Sequence, residues 1–460
     1  MQKEFTIGAN VQRPYGINQM LGAQELADCL KKDGINIPIA DHLDILETKR
    51  MIGNKVIPNS IGIHPCEGFD ASTQGDVSDL TIRRYLRYAE GGAGLIWFES
   101  FGIGSEGKDS LCQLTMLKEN IPGVKALLEQ TDAAAMNQYG AEHRPYKVIQ
   151  LNHSGRRSVD LHGERKPICG WQSPVFDEMV FGDIPVADDE YIEMVIQQYI
   201  DAAENAMSAG FDGVDLKACH GYLLSDLMCA FERPGKYGGS FENRVRAIIE
   251  IVDGIRKKCG DNLDICIRMN AYDAIPYPCG WGMVKEAGVM QPDLTEPIAL
   301  LKLLSAKGVK MMNITTHTPR FAPFGEGLSA QFNGKKVKPY YGVACLLNAT
   351  KELRAAVPDM LYVATGLSWF EKYSVNVGAG GIEQGWFDIA GFGRQALAYP
   401  DFAKDIIIHK TLNEDKLCVL CDKCHELSMK GHTMVGCVIR DPEIYLPLYK
   451  EKVLKEDKLN

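Results

Sequence analysis

Residues 188–222 read DDEYIEMVIQQYIDAAENAMSAGFDGVDLKACHGY, and this stretch decides the fold. Its first part is an amphipathic helix. Ile192, Val195, Ile196, Tyr199, Ile200, Ala203 and Met207 form one apolar stripe at helical spacing, and Gly210 closes it. The run DGVDLKA (212–218) follows as a strand, and polar residues begin where it ends. The same alternation of strand-like and helical runs extends from about residue 57 to 410. A second clear helix runs from Ser78 through Leu80, Tyr85, Leu86 and Ala89 to Gly91. The other strand runs are IPNSIGIHP (57–65), GLIWFES (94–100), YKVIQLN (146–152), LDICIRM (263–269), GVKMMNIT (308–315), MLYVATG (360–366) and WFDIAGFG (386–393). Short apolar or β-branched runs of this kind suit strands buried on both faces.

Eight such units predict an α/β fold, a (β/α)8 TIM barrel. It is longer than the usual ~250 residues because of insertions. These fall at residues 156–187, 270–292 and 318–342. An open doubly wound sheet is the alternative, but no G-x-G-x-x-G follows the first strand. Residues 1–45 have no place in the barrel and are expected as an N-terminal extension packing on its outside. The barrel then spans 46–412, and residues 413–460 form a C-terminal Cys-rich segment.

Composition excludes several classes. The chain has 460 residues, of which 45% are apolar and 24% charged, an ordinary globular balance. Its net charge of −10, with no basic run, argues against nucleic acid as a partner. The opening MQKEFTIGANVQRPYG has no apolar core of a signal sequence, and no stretch approaches a membrane span. Fourteen cysteines without a secretory signal predict a reducing, cytoplasmic setting.

Four of those cysteines carry a chemical signal. Cys418, Cys421, Cys424 and Cys437 lie in CVLCDKCHELSMKGHTMVGC, spaced C-x2-C-x2-C-x12-C. Three thiols within seven residues and a fourth beyond suit the corners of an iron–sulfur cubane. Structural zinc more often takes two separated C-x2-C pairs, and here the middle cysteine would belong to both. Zinc and a set of metal-free thiols are the two alternatives. His425 reads as an accidental neighbour.

A barrel of this type holds its active site at the C-terminal ends of its strands. Strand one ends in His64, Pro65, Cys66 and Glu67, and strand two in Glu99 and Ser100. Strand three ends in Gln150, Asn152 and His153. Strand four ends in Lys217, Cys219, His220 and Tyr222, and strand five in Arg268 and Asn270. The sixth leads to His317, the seventh to Gly366, the eighth to Gly393 and Arg394. A lone polar residue at a strand end is commonly a loop hydrogen-bonding group. Their gathering on one rim is what points to a site.

VDLKACHGYLLSDL (214–227), KYGGSFENRVR (236–246) and VIQLNHSGRR (148–157) resemble the signature of the Old Yellow Enzyme family of NADH:flavin oxidoreductases. The four-cysteine run resembles that family's iron–sulfur branch, which includes 2,4-dienoyl-CoA reductase, enoate reductase and trimethylamine dehydrogenase. Its spacing is closest to the trimethylamine dehydrogenase form. The resemblance covers about residues 50–445 and is much weaker for substrate. It implies FMN and a [4Fe-4S] cluster on Cys418, Cys421, Cys424 and Cys437. It implies hydride transfer from flavin N5 to the C=C bond of an α,β-unsaturated carbonyl compound.

The resemblance also distributes roles. Gln150 offers an amide donor and acceptor to the flavin, and Arg268 supplies fixed positive charge near N1. Pro65, Cys66 and Ser100 line the ring. Gly366 and Gly393 let the backbone approach the phosphate, and Arg394 pairs with it. Either glycine alone is equally a tight-turn residue. His220 stands at a carbonyl-binding position and Tyr222 at the proton donor's. Lys217 replaces the usual histidine at the first carbonyl-binding position. It is read either as facing the substrate or as a structural partner of Glu67 or Glu99. Burial near an arginine is expected to lower its pKa, making it an acid in its own right. His317 lies near a histidine that the dienoyl-CoA reductase branch keeps over the flavin. Arg320 is read as binding an anionic substrate group or as surface. Tyr272, Tyr277 and Trp281 are read as aromatics over the pocket or as packing on their own scaffold.

The multidomain relatives continue into FAD- and pyridine-nucleotide-binding domains. Here Asn460 stands about twenty residues past Cys437, and no dinucleotide fingerprint remains. The expected electron source is therefore an external donor: a ferredoxin, a flavoprotein or a separate reductase subunit. NAD(P)H as direct reductant is the competing route. An amine dehydrogenase of the trimethylamine dehydrogenase type and a non-catalytic electron-relay subunit are the alternative functions. An anaerobic setting follows from the cluster, and a homo-oligomer is allowed.

Overall fold

Eight parallel strands close into a barrel. The structure, a computed structural model, describes residues 17, 19–175, 184–318, 331–332, 335–336 and 340–455. The strands are β1 (Ile61–Ile63), β2 (Leu95–Gly102), β3 (Tyr146–Asn152), β4 (Gly213–Ala218), β5 (Asp264–Asn270), β6 (Met311–Thr315), β7 (Leu361–Ala364) and β8 (Ile389–Phe392). They neighbour one another in chain order, and β8 pairs with β1 to complete the ring. The outer helices are α1 (Asp79–Glu90), α2 (Ile121–Tyr139), α3 (Asp189–Ala209), α4 (Phe241–Cys259), α5 (Thr295–Ala306), α6 (Tyr341–Ala356), α7 (Ser374–Glu383) and α8 (Phe402–His409). The apolar stripe read in residues 188–210 is the buried face of α3, capped by Asp188 and ended by Gly210 in the left-handed region at φ 104°.

Strand alternation sorts the barrel interior into two levels. Leu95, Trp97, Val148, Cys266, Met311, Val363 and Ile389 pack together at the N-terminal end. A hairpin of residues Arg50–Ile52 and Lys55–Ile57 closes that end, contributing buried Ile52 and Ile57. Its Lys55 Nζ donates to Asp264 Oδ2 at 2.9 Å. Two residues further along each strand the same face turns polar. Ser100, Gln150 and Asp215 sit side by side in register, as do Lys217, Arg268 and Asn313.

The N-terminal extension lies against α7. Ala40 N donates to Asn376 O at 3.0 Å, and Asn376 Nδ2 donates to Ala40 O at 2.8 Å. The cysteine segment docks at the opposite end of the chain's course, on α1 and the loop after β1. Asp441 accepts from Arg83 at 2.7 Å and from Arg87 at 2.8 Å. Val435 N donates to Gly68 O at 2.7 Å, and Arg84 donates to Val435 O at 3.0 Å. The insertions at 156–187 and 318–342 lie partly outside the described residues, and Arg320 wholly so. No helix among the described residues is long and apolar enough to cross a membrane.

Candidate active site

The polar residues read at the strand ends gather on one rim, and each is aimed by its strand. Gln150 on β3 is fully buried. Its Nε2 donates to Asp215 Oδ2 at 2.6 Å, while its Oε1 has no protein partner. Asp215 also accepts from Trp97 Nε1 at 2.9 Å and from the Arg268 backbone N–H at 2.6 Å. Burial lifts its pKa to about 6 against those three donors. The Gln150 amide is thus fixed with its carbonyl oxygen as the acceptor left over.

Other polar atoms beside it are buried without protein partners: Asn152 Oδ1, Arg268 Nε, Asn270 Oδ1, His317 Nε2 and Thr318 Oγ1. Leaving one such group unpaired costs about 1–3 kcal/mol, so several of them at or just after the ends of β3, β5 and β6 fit a polar ligand. A flavin's pyrimidine edge is such a ligand. At the ends of β7 and β8 the chain carries glycines where a side chain would be crowded or strained. Gly366 sits at φ 90°, and a Cβ on Gly393 would lie 3.0 Å from Cys66 Sγ. Cys66 itself is partly buried, and burial raises its thiol to about 11.

Lys217 does not stand alone over this rim. Its Nζ donates to Glu67 Oε1 at 2.9 Å and lies 3.4 Å from Ser100 Oγ and 3.9 Å from the centroid of the Tyr222 ring. Of the two acidic partners read from the sequence, Glu67 is the one it meets. A register shift in β2 between Phe98 and Ser100 brings Ser100 inward and leaves Glu99 facing α1. The expected fall in the Lys217 pKa is corrected. Burial does push it down, but the carboxylate of Glu67, then Tyr222, outweigh burial and hold the ammonium above its ordinary value. Lys217 is therefore not an acid at neutral pH.

Tyr222 is buried, and its hydroxyl donates to Asp109 Oδ2 at 2.9 Å. Asp109 also accepts from Arg157 Nε at 2.9 Å. Neither Asp109 nor Asp215 was legible as a site residue. Asp109 lies in a loop with no pattern around it. Asp215 did leave a signal: it is an acid inside an apolar strand, two residues from Lys217 and so on the same face. His220, at φ 62°, brings Nε2 within 3.3 Å of Thr315 Oγ1. His317 is buried beside Tyr272, its Nδ1 2.8 Å from Thr316 Oγ1, and burial lowers its pKa to about 4. Trp281 packs on the scaffold, donating to Asn270 O at 3.1 Å, and Tyr277 meets Phe231 edge-on.

Arg394 faces the cysteine segment. Its Nη1 donates to Asp422 Oδ1 at 3.2 Å, and its guanidinium lies 4.8 Å from the centre of the Trp369 ring. It lines one hollow with Leu397, Cys418, Cys421, Cys424 and Cys437. Leu420 and Asp422 both adopt positive φ, 53° and 60°, which coils the chain around Cys421. Arg440 N donates to Cys437 Sγ at 3.3 Å. Among the described residues, no His, Cys, Asp or Glu groups converge tightly enough to hold a single metal ion. Four sulfurs spread around one apolar hollow fit a larger group with several attachment points. Cys424 belongs to a small apolar cluster that also contains Cys66, so this hollow adjoins the rim.

Glu99 is the other titrating group near this junction. Gly68 N donates to its Oε2 at 2.7 Å, and Tyr85 OH donates to its Oε1 at 3.2 Å. The nearby Arg84 is committed to Asp70 at 2.5 Å. Burial, with Asp70 adding to it, lifts the Glu99 carboxyl to about 8. The folded chain then holds a proton that the unfolded chain releases near pH 4, so stability falls as pH rises toward 8. Buried His64, His153 and His317 act oppositely, and their gain is complete only about one unit above the unfolded histidine pKa of about 6.5. Between pH 6.5 and 8 Glu99 alone is therefore expected to cost about 1–2 kcal/mol. A Glu99→Gln variant should lack that loss, so its stability should rise relative to wild type over this range in denaturant unfolding. An unchanged difference would mean that Glu99 is ionised throughout.

A parallel barrel with buried polar groups unpaired at its C-terminal rim defines a cofactor-dependent barrel protein. The particular family follows from comparison. Residues 51–287 match the NADH:flavin oxidoreductase / NADH oxidase family, and the chain belongs to it. A relative is the NADH oxidase of Thermoanaerobacter brockii, 27% identical over 386 residues, covering 83% of this chain and 53% of the relative. This chain thus spans about half that protein's length. The fold is shared with 2-naphthoyl-CoA reductase in complex with 2-naphthoyl-CoA. That match has a TM-score of 0.68 at 22% identity and covers 89% of this chain and 58% of that one. Histamine dehydrogenase from Rhizobium sp. 4-9 shares the fold with a TM-score of 0.63 at 19% identity, covering 86% and 52%.

Proposed function

We propose that this flavin oxidoreductase is an FMN-dependent ene-reductase. It reduces the C=C bond of an α,β-unsaturated carbonyl compound and takes in electrons through a [4Fe-4S] cluster on Cys418, Cys421, Cys424 and Cys437. The observation that carries this reading is Tyr222, a buried phenol on the same rim as His220 and the unpaired Gln150 and Arg268 atoms. FMN, when bound, would supply hydride chemistry for the β-carbon, and a cluster on the four cysteines would supply single electrons. His220 donates to the carbonyl oxygen, and Tyr222 gives its proton to the α-carbon, so hydride and proton together saturate the bond. Gln150 and Arg268 hold the flavin's pyrimidine edge. Pro65, Cys66 and Ser100 line the ring, and the backbone at Gly366 and Gly393 receives the phosphate. His317 stands over the flavin as a further catalytic group. Residues 46–412 act as the FMN barrel, 413–460 as the cluster segment and 1–45 as a strap on the outside.

A second reading, an amine dehydrogenase, is supported by the cysteine spacing and by the shared fold of histamine dehydrogenase. Lys217 would not repel an ammonium substrate, because Glu67 compensates its charge. Two anaerobic measurements on the reconstituted protein separate the readings. Reoxidation of reduced flavin by a panel of enones is expected, with no flavin reduction by trialkylamines. The reverse pattern would establish the amine enzyme, and inertness toward both would leave an electron-relay subunit. The name NADH oxidase, carried by a relative, favours direct nicotinamide reduction over an external ferredoxin or flavoprotein. Stoichiometric bleaching by NADH without a partner would decide for it.

A further inference from the structure

Cations at the substrate side of the rim carry their own carboxylates. Lys217 holds Glu67 at 2.9 Å, and Arg157 holds Asp109 at 2.9 Å. The first pair is built in rather than casual. The Lys217 side chain is 5% exposed and that of Glu67 is 13% exposed. Ser100 Oγ donates to Glu67 Oε1 at 2.6 Å, and Ser100 N donates to Oε2 at 3.3 Å. Gln113 Nε2 donates to Ser100 Oγ at 2.9 Å, which directs the hydroxyl proton toward Glu67. Gln113 is fixed in turn, because its Oε1 accepts from Asp109 N at 2.6 Å. The three N–H directions of Lys217 are taken up by Glu67, Ser100 and the face of Tyr222.

The geometry points to Glu67 as the residue that sets substrate charge: it cancels Lys217, so the pocket takes an uncharged unsaturated carbonyl (ketone, amide, ester or thioester) and rejects the free carboxylate. This inference rests on the ene-reductase reading and deepens it. A substrate carboxylate would have to lie beside Glu67 in a desolvated pocket, where like charges repel, or displace it from three donors. A neutral carbonyl meets no such opposition and needs only a hydrogen-bond donor such as His220.

The test uses the flavin-loaded full chain and two probes of nearly the same shape, cinnamate and cinnamamide. Their dissociation constants are read from the perturbation of the flavin absorption spectrum. Wild type is expected to bind cinnamamide at least about tenfold more tightly than cinnamate, the scale of one uncompensated charge contact. Glu67→Gln, which keeps the shape and removes the charge, should shift that ratio at least about tenfold toward cinnamate. Adding Lys217→Met to Glu67→Gln should abolish the gain. Equal wild-type affinities, binding of neither probe, an unmoved ratio in Glu67→Gln at native flavin content, or a gain that survives loss of Lys217 would each overturn the assignment. The wild-type ratio decides even if the variant folds poorly. Reoxidation of the reduced enzyme by cinnamamide and 2-cyclohexenone reports separately on the reaction. The predicted preference without reoxidation would refute the ene-reductase reading and leave the assignment of Glu67 standing.

Discussion

A Tyr222→Phe variant is expected to bind flavin at native stoichiometry and to lose about 10²–10⁴-fold in turnover with an enone, the range of a positioned general acid. The change removes one oxygen from a buried ring whose position is fixed by its neighbours. The strand and turn that carry it are untouched, and Lys217 still packs against the ring face. Asp109 loses one hydrogen-bond donor but keeps Arg157 at 2.9 Å, so its charge stays compensated. The fold should therefore survive, and the loss should fall on proton delivery. A solvent isotope effect on turnover that is larger in the variant than in wild type would locate the loss at that step. Unchanged turnover at equal flavin occupancy would remove Tyr222 from the mechanism.

The surroundings of Tyr222 bear on why it can serve as an acid at all. A carboxylate accepting its O–H bond opposes loss of the proton, since negative charge raises a phenol's pKa. Two features counter this. Arg157 pairs with Asp109, and the Lys217 ammonium lies against the face of the ring. On the proposed reading Lys217 packs on Tyr222 and pairs with Glu67. The family resemblance placed it at a carbonyl-binding position, with Glu67 or Glu99 as the alternative partners. That Glu67, 150 residues earlier, is the one to arrive at 2.9 Å follows from the register shift in β2, which turns Glu99 toward α1.

The same contrast runs through the fold. The barrel was legible because its cause is local: each strand is a short apolar run, and each helix carries a stripe at its own period. The polar rim was legible because a closed parallel barrel puts all C-terminal strand ends on one face. The hairpin that plugs the other end was not, because Arg50–Ile52 and Lys55–Ile57 are too short to stand out as strands. The inward turn of Ser100 was not, because it depends on a register shift in β2 that appears only against the paired β3. Arg394 was read as pairing with the flavin phosphate. What the sequence did not show is that its guanidinium also meets Asp422 and Trp369 beside the cysteine hollow, since the Asp422 contact depends on the docking of the C-terminal segment.

That docking makes the cysteine segment testable apart from the barrel. A Cys424→Ser variant of the full chain is expected to lose most of its iron and acid-labile sulfide, from about four of each per chain in a reconstituted [4Fe-4S] protein, while retaining flavin. Flavin retention follows because the contacts that seat the segment do not pass through the thiols. Arg83 and Arg87 hold Asp441, Arg84 holds the Val435 carbonyl, and Val435 N holds Gly68. Loss of the cluster should therefore leave the rim standing and cut only the route into it. Cys424 packs against the same apolar cluster as Cys66, a residue beside the proposed flavin, so the proposed cluster would lie close to the ring. In the variant, one-electron donors such as reduced methyl viologen should reduce the flavin far more slowly than in wild type, whereas chemical reduction with dithionite should still bleach it. Cys29→Ser, altering a thiol in the N-terminal helix Ala23–Lys32, should change neither iron nor rate. Full iron in Cys424→Ser would remove that cysteine from the cluster. Loss of iron with an unchanged one-electron rate would mean that electrons reach the flavin by another way.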